Sequence, residues 1–226
     1  MNASSLLNGL ELLYPDNTVI SQMKRTLVNH PECEDNLVDA FSLGQLKSKL
    51  WLIENLPTDL GKVFICAGWY GTLASFMFDK SREKFDVIRS FDIDPTCANI
   101  AETMNKPYVI EGWQFKASTM DIHAMEYPTS YTTHKSNGEA KVITEMPDTI
   151  INTSCEHIKD FDRWYNKIPK GVMVILQSNN FFEVAEHVNC VNSYEEFESK
   201  TPIEHPFYGG HLELDKYTRF MRIGIK

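Results

Sequence analysis

The 226-residue sequence lacks the features that would point to a membrane protein, a secreted protein or a nucleic-acid-binding surface. No apolar run approaches the roughly 18 residues needed to cross a bilayer, and the first five residues have neither the basic nor the apolar region of a secretion signal. Lysine and arginine total 22 against 31 aspartate and glutamate, which gives a net charge of −9. This negative charge disfavours nonspecific binding to the phosphate backbone of nucleic acids. We therefore expect a cytoplasmic protein with no membrane segment, for which nucleic acid is a disfavoured partner.

Metal-type cysteine spacing and sequence repeats are also missing. An odd number of cysteines, spread through apparent core strands, suits reduced thiols better than disulfides. The five are Cys33, Cys66, Cys97, Cys155 and Cys190. Structural zinc is not expected. The length suits one sizeable α/β domain with an N-terminal extension better than two domains.

The first 58 residues are predicted to be helical, with breaks at Pro15 and Pro31. Apolar residues recur at helical spacing in two stretches, which contain Val19, Ile20, Met23 and Leu27, and Leu46, Leu50, Ile53 and Leu56. We interpret residues 1–58 as a helical cap and residues 59–226 as the main domain. Gln45, Lys47 and Lys49 are candidates to face the cleft beneath the cap, although a solvated helix face is the favoured expectation for the two lysines.

After residue 58, strand and helix patterns alternate, which implies a mainly parallel sheet with helices on both faces. No helix separates the last two apolar runs, so the final strand is expected to be antiparallel. The predicted fold is a doubly wound α/β fold with a mainly parallel seven-stranded sheet. Its predicted strands are 62–67, 86–92, 113–118, 148–153, 171–178, 208–214 and 216–225, and its predicted helices are 71–80, 95–105 and 159–167.

Residues 127–144 interrupt this alternation. Residues with high β-propensity flank Asn137 and Gly138, a pair that supplies the positive φ angles of a tight turn. The pattern predicts a hairpin or mobile flap beside the site.

A glycine turn after the first strand is followed about twenty residues later by an acid. Gly68 and Gly71 enclose Trp69 and Tyr70, and Asp92 ends the second apolar run. Glycines at such a turn let backbone N–H groups approach a cofactor, and an acid at the second strand end can bind ribose hydroxyls. The alternatives are a glycine required only for packing and an acid that starts a helix, a role that suits Asp94 better.

Four segments in this order resemble the class I S-adenosylmethionine-dependent methyltransferases. They are the glycine turn at 66–71, the strand end at 91–95, Ser118-Thr119-Met120-Asp121-Ile122, and the strand and loop at 147–158. The resemblance covers roughly residues 60–226 and implies a Rossmann-like methyltransferase fold with S-adenosyl-L-methionine as cofactor. The cofactor-binding residues it implies are Ala67, Gly68, Trp69, Gly71, Asp92, Ile93, Met120, Asp121 and Asn152.

The same resemblance supplies candidate catalytic and acceptor residues. It places Asn152 at the transfer site, and Glu156-His157 is similar to a Glu-His pair of small-molecule members. His157 or His187 would act as base, while Glu156 and Asn180 would contact the substrate. The alternative for these residues is local turn and cap chemistry.

Departures from the family pattern bear on the metal and the acceptor. A metal-dependent RNA-methylating variant would have a glutamate where Thr153 stands, so no metal is predicted. Cys155 is expected to be a small packed residue and not a nucleophile. The segment at 152–157 is not the Asn/Asp-Pro-Pro-aromatic loop of amino-group DNA methyltransferases. Arg219 and Arg222 are three apart, so on a strand they point to opposite faces and cannot form one anion clamp.

The leading interpretation is a methyltransferase acting on a small or medium-sized polar acceptor. One alternative is a catalytically inactive binding or structural accessory protein with the same fold, and another is an RNA or DNA methyltransferase. Five short segments also resemble an uncharacterised methyltransferase-like group of tailed bacteriophages: 44–52, 68–71, 152–157, 176–180 and 187–190. This resemblance would place the protein in the host cytoplasm.

Overall fold

A computed structural model describes residues 3–135 and 137–226. Met1, Asn2 and Ser136, which belong to the predicted cap and hairpin, lie outside the described residues. The strands are β1 (Lys62–Cys66), β2 (Val87–Asp92), β3 (Phe115–Thr119), β4 (Thr129–His134), β5 (Ala140–Glu145), β6 (Thr149–Asn152), β7 (Met173–Asn179), β8 (His205–Glu213) and β9 (Thr218–Ile225). The α-helices are α1 (Ala3–Leu13), α2 (Thr18–Asn29), α3 (Glu34–Ala40), α4 (Leu43–Glu54), α5 (Thr72–Lys80), α6 (Cys97–Met104), α7 (Lys106–Ile110), α8 (Phe161–Lys167) and α9 (Tyr194–Lys200).

Seven strands form one sheet in the order β3-β2-β1-β6-β7-β9-β8. The pairs from β3 to β7 are parallel, and β9 runs antiparallel to both β7 and β8. The predicted fold is therefore confirmed: a mainly parallel seven-stranded sheet with an antiparallel last strand. The predicted elements are found within a few residues of their expected bounds, whereas the short helices α7 and α9 were not predicted.

The central strands β1, β6 and β7 are buried on both faces, which explains their continuous apolar runs. Along β1, Val63 and Ile65 face a core formed with α4 and α5, whereas Phe64 and Cys66 face a core formed with α8 and α9. This alternation follows from the two-residue period of a strand.

Residues 3–58 contain α1 to α4 together with a short 3-10 helix at Pro31–Cys33. Asn17 caps α2 by accepting the Ile20 backbone N–H, as expected for an N-cap asparagine. Apolar residues of α1 to α3 pack around Tyr70 and α6, and this cluster contains Leu7, Leu27, Cys33, Leu37, Tyr70, Cys97, Ile100 and Met104. The cap therefore rests on the turn after β1.

The hairpin predicted around Asn137 and Gly138 is also present. Strands β4 and β5 pair antiparallel from Thr129↔Glu145 to His134↔Ala140. Its Tyr131 ring packs edge-on against Phe91, with ring centroids 5.3 Å apart. The hairpin thus lies over β2, and whether it moves stays a prediction.

All five cysteines are free and buried, in agreement with the reduced thiols predicted from the sequence. Within 3–135 and 137–226, no helix combines the length and apolar character needed to cross a membrane.

Candidate active site at the carboxyl edge of the sheet

The parallel register brings four strand ends together at one edge of the sheet. Cys66 pairs with Phe91, Asp92 with Thr119, and Asn152 with Leu176. Because β1 lies between β2 and β6, the turn after Cys66 sits between Asp92 and Asn152. Open α/β sheets bind ligands in the crevice outside this edge.

The turn after β1 has an unusual backbone. Ala67 and Trp69 adopt positive φ angles of 56° and 48°, and Gly71 adopts 68°. For residues with a side chain, a left-handed conformation costs about 1–2 kcal/mol each. Strain of this kind clusters at ligand-binding sites, where the surrounding structure maintains it. The two strained residues therefore mark this turn as a candidate binding site.

Both glycines of the turn are required by packing. A Cβ on Gly68 would overlap Oγ of Ser90, and one on Gly71 would lie 2.8 Å from Nδ2 of Asn105. The packing alternative therefore accounts for both glycines without a cofactor. The part of this turn that remains for a ligand is the backbone between the two glycines.

Asp92 links this turn to the end of β2. Its Oδ2 accepts the Trp69 backbone N–H at 2.8 Å, and its Oδ1 accepts the Asp94 N–H at 3.1 Å. Asp94 instead accepts both the backbone N–H and the hydroxyl of Thr96 at the start of α6, the helix-start role expected for it. A carboxylate offers about four acceptor positions, so the half-exposed Asp92 keeps capacity for ribose hydroxyls.

The remaining predicted cofactor residues surround Asp92. Met120 donates its backbone N–H to the Asp92 carbonyl at 2.8 Å, and Asp121 is exposed and accepts the His123 N–H. Ile93 leaves 68% of its surface exposed, so an apolar side chain stands uncovered beside the acid. The structure brings the predicted cofactor residues of β1, β2 and β3 into one region, which we call the cofactor half of the cleft.

Asn152 ends β6 and is fully buried. Its Oδ1 accepts the Ser154 N–H at 2.8 Å, while its Nδ2 has no hydrogen-bond partner among the described residues. A buried donor without a partner costs about 1–3 kcal/mol. A donor left in this state beside the crevice is suited to a ligand that accepts its hydrogen bond.

A buried ion pair lies beyond Asn152. Oε1 of Glu156 accepts hydrogen bonds from Nη1 of Arg219 at 2.6 Å and from Nδ2 of Asn179 at 2.7 Å. Nη2 of Arg219 donates to the Thr153 carbonyl at 3.0 Å. Burial opposes the charge of Arg219, but Glu156 outweighs it and raises the pKa of the guanidinium. Glu156 and Arg219 thus form a buried pair.

His157 and His187 come together although thirty residues separate them. Their ring centroids are 4.5 Å apart with an interplanar angle of 89°. Nδ1 of His187 lies 2.7 Å from the Phe181 carbonyl, which can only accept, so Nδ1 carries the proton and Nε2 presents its lone pair. Desolvation, with the positive charges of His187 and Arg219 in addition, lowers the pKa of His157. The lowered pKa of His157 favours its neutral, proton-accepting form.

We call this group of side chains the acceptor half of the cleft; it consists of Asn152, Glu156, His157, Asn179, His187 and Arg219. Asn180, a predicted substrate residue, lies at its border. Its Oδ1 accepts the Thr218 backbone N–H at 2.7 Å, which fixes the start of β9.

Cys155 is fully buried, and burial raises the pKa of its thiol well above the usual range. An uncharged, enclosed thiol of this kind is inert, which agrees with its expected role as a packed residue.

The prediction that Lys49 lies on a solvated helix face is wrong. Its side chain is buried, and Nζ donates to Oε1 of Gln45 at 2.8 Å and to the Ala40 carbonyl at 3.3 Å. Burial, with the nearby charge of Arg219, lowers the pKa of Lys49 to about 7. The error arose because α4 is covered on this side by the rest of the cap and by β9. Lys47 is exposed, as expected.

Sequence reasoning missed Arg219 as a support of the site, and for Asn179, at the end of its strand, it favoured turn and cap chemistry over a role in the acceptor pocket. The exclusion of an anion clamp formed by Arg219 and Arg222 was correct, because Arg222 contacts Glu198 and Thr201 on the other side of the sheet. The register of β9 places Arg219 directly opposite Asn179. The available signal was a charged residue inside an apolar strand, because a buried charge requires a partner.

Comparison with known proteins supports the fold. No protein-family description matches the sequence, and no curated protein matches it. Among solved structures, the N-methyltransferase NodS from Bradyrhizobium japonicum WM9 in complex with S-adenosyl-L-homocysteine matches with a TM-score of 0.60 and 10% identity, over 92% of this chain and 99% of NodS.

Two further methyltransferase structures match over most of this chain. The mitomycin 7-O-methyltransferase MmcR has a TM-score of 0.58 and 12% identity, over 88% of this chain and 60% of MmcR. The small RNA methyltransferase HEN1 has a TM-score of 0.56 and 13% identity, over 81% of this chain and 25% of HEN1. The chain therefore has the class I fold of S-adenosylmethionine-dependent methyltransferases.

Proposed function

We propose that this protein is an S-adenosylmethionine-dependent methyltransferase that acts on a small or medium-sized polar acceptor. The observation that carries the proposal is the division of one crevice into a cofactor half at β1 to β3 and an acceptor half at β6, β7 and β9. The cytoplasmic location, the tailed-phage resemblance and the boundary at residue 58 stay predictions from the sequence.

The residues present fit the cofactor. Asp92 keeps acceptor capacity for ribose hydroxyls, and the uncovered Ile93 offers an apolar surface to a flat base, with Met120 and Asp121 beside it. The strained turn from Ala67 to Gly71 would border the methionine end. The unpartnered Nδ2 of Asn152 points to a ligand acceptor at the junction of the two halves.

Bound S-adenosylmethionine would supply a methyl group activated by its sulfonium. Because the transfer is an in-line displacement, the main task of the protein is alignment of the acceptor with that methyl group. His157 or His187 would remove a proton from a hydroxyl or similar acceptor through a ring nitrogen. The acidic surface, at a net charge of −9, favours a small acceptor over a nucleic acid.

The first experiment is a calorimetric titration with S-adenosylmethionine and S-adenosylhomocysteine. Asp92→Asn removes the charged acceptor but keeps a similar shape, and Asp94→Asn is the matched control two residues away. Loss of a charged hydrogen bond costs about 1.5–3 kcal/mol, so Asp92→Asn should weaken binding by about 10- to 100-fold. Asp94→Asn should leave it unchanged. Failure of the wild-type protein to bind either compound at millimolar concentration would overturn the proposal.

The second experiment identifies the acceptor class. The protein is incubated with methyl-labelled cofactor and either a metabolite extract or purified RNA and DNA. Label in the small-molecule fraction supports the proposed acceptor, and label in nucleic acid supports the alternative. Cofactor binding without any transfer would favour a catalytically inactive accessory protein.

A further inference from the structure

Three metal-ligating side chains meet in the acceptor half. One carboxylate oxygen of Glu156 and one ring nitrogen from each of His157 and His187 all lie within 4.8 Å of one another. Ligands of one ion, each about 2.0–2.2 Å from it, are separated by up to roughly 4 Å. Small side-chain rotations would bring these three atoms onto a single ion.

The carboxylate is already oriented for this role. Arg219 and Asn179 both bind Oε1 of Glu156. Its Oε2 is buried and has no partner within the part of the chain that the structure describes. A side chain only 3% exposed, with one oxygen held and the other unused, is prepared to bind a cation.

The His187 ring is oriented in the same way. Its Nδ1–H donates to the Phe181 carbonyl, which turns the Nε2 lone pair away from that contact. A backbone carbonyl on the second ring nitrogen is a common support for a metal-binding histidine.

The loop that carries His187 is fastened to the segment that carries the other two residues. The Asn189 backbone N–H donates to the Glu156 carbonyl at 2.8 Å, and its Nδ2 donates to the Cys155 carbonyl at 3.0 Å. These bonds bring His187 to Glu156 and His157 without an ion.

We propose that Glu156, His157 and His187 bind one divalent first-row transition metal ion, such as Mn²⁺, Fe²⁺, Co²⁺ or Zn²⁺. Two imidazoles and one carboxylate suit these ions, whereas Mg²⁺ and Ca²⁺ prefer oxygen ligands alone. The sequence expectation of no metal depended on Thr153 in place of a glutamate, and the structure brings in His187 as a third ligand instead.

The site has a consequence for the proposed reaction. Three protein ligands leave coordination positions free for water or for an oxygen of the acceptor. A histidine that binds the ion through its lone pair cannot also serve as the base. Metal binding itself does not depend on methyl transfer, so the two proposals can fail separately.

The test uses the full chain after chelation and dialysis, without cofactor. Calorimetry measures binding of Mn²⁺, Co²⁺, Zn²⁺ and Mg²⁺, and the visible absorption of Co²⁺ reports nitrogen ligation. The variants are His157→Gln and His187→Gln. The matched controls are His205→Gln and His211→Gln, which replace exposed histidines of β8.

We expect one ion per chain, with Mg²⁺ binding far more weakly than Zn²⁺ or Co²⁺. Each ligand variant should lose more affinity than the 10- to 100-fold typical of a lost supporting partner, and the controls should bind as wild type. Glu156→Gln is judged by its metal-dependent shift in Tm, because loss of its ion pair alone perturbs folding.

Absence of binding at millimolar metal, or binding retained in both His157→Gln and His187→Gln, would overturn the proposal. The same metal-free protein is titrated with S-adenosylhomocysteine, so a lost metal site and a lost cofactor site give separate results.

Discussion

The two halves of the cleft are built differently. In the cofactor half, backbone N–H groups make the contacts at the strand ends. Those of Trp69 and Asp94 donate to the carboxylate of Asp92. In the acceptor half, buried side chains from distant parts of the chain pair with one another, as Glu156 does with Arg219 and Asn179. The first arrangement needs only short segments at strand ends, whereas the second needs the whole sheet.

This difference predicts where substitutions are costly. Charged side chains in the acceptor half are buried, so removal of one partner leaves an uncompensated charge. Polar side chains in the cofactor half are half-exposed or exposed, so water can replace their contacts. Stability should therefore depend on the acceptor half and cofactor affinity on the cofactor half.

The largest effect is expected for Arg219→Met. The substitution leaves the Glu156 carboxylate buried with Asn179 as its remaining partner, and breaking a buried pair in this way costs about 3–5 kcal/mol. Urea denaturation measures the free energy of unfolding.

The matched control is Lys135→Met, which removes the exposed ion pair with Glu139 and should change the stability by about 0.5 kcal/mol or less. Adding Glu156→Gln to Arg219→Met should restore part of the loss, since no charge is then left unpaired. A single-variant cost below about 1 kcal/mol would contradict the distinction between the halves.

A pH-dependent effect is expected for Lys49→Met. With a pKa of about 7 in the folded state and about 10.4 in the unfolded chain, Lys49 destabilises the fold fully below pH 7. Between these values only the unfolded chain holds the proton, so the wild-type protein gains stability over the variant as pH rises. From pH 7 to 9 the relative gain is about 2–3 kcal/mol.

Urea titrations at both pH values measure this gain. The matched control is Lys47→Met, which replaces an exposed lysine of the same helix. Parallel pH profiles of the wild-type protein and Lys49→Met would show that the buried lysine is not perturbed.

In the cofactor half, Gly68→Ala should cost about 1–3 kcal/mol, because its Cβ would overlap Oγ of Ser90. Adding Ser90→Ala removes that atom and should recover much of the loss. Gly9→Ala in α1, where the added Cβ meets nothing within 4 Å, should instead stabilise by about 0.5–1 kcal/mol. Thermal unfolding of the three variants measures these changes in stability. Equal effects of Gly68→Ala and Gly9→Ala would argue against a packing role for Gly68.

The smallest effect is expected at the contact between cap and turn. Tyr70→Phe removes the hydrogen bond that Nδ2 of Asn36 donates to the tyrosine hydroxyl at 3.1 Å, which is worth about 0.5–1.5 kcal/mol. Because Asn36 is exposed, the lower value is expected. A double-mutant cycle with Asn36→Ala measures the coupling, and zero coupling would mean that the hydroxyl does not help to hold the cap.

Much of the cofactor half could be predicted from the sequence. The turn at Gly68 follows an apolar strand, Asp92 ends the next one and Met120 follows the third strand, and parallel strands end at a common edge. The antiparallel ending and the Asn137-Gly138 hairpin were predictable for the same reason, since their signals are local. What the turn glycines do was not predictable, because the Ser90 side chain that Gly68 approaches belongs to another strand.

The order of the elements, the parallel sheet and the strand ends of the cofactor half follow from local sequence patterns, because hydrophobic period and turn residues act over a few neighbours. The pairing of Arg219 with Glu156, the burial of Lys49 and the approach of His187 to His157 instead arise from tertiary packing. These contacts depend on strand register and on the docking of the cap and loops, and the residues of the Glu156–Arg219 pair are 63 positions apart. No local sequence pattern specifies a contact between residues so far apart in the chain. The contact is nevertheless energetically decisive, because a buried charge without a partner is costly.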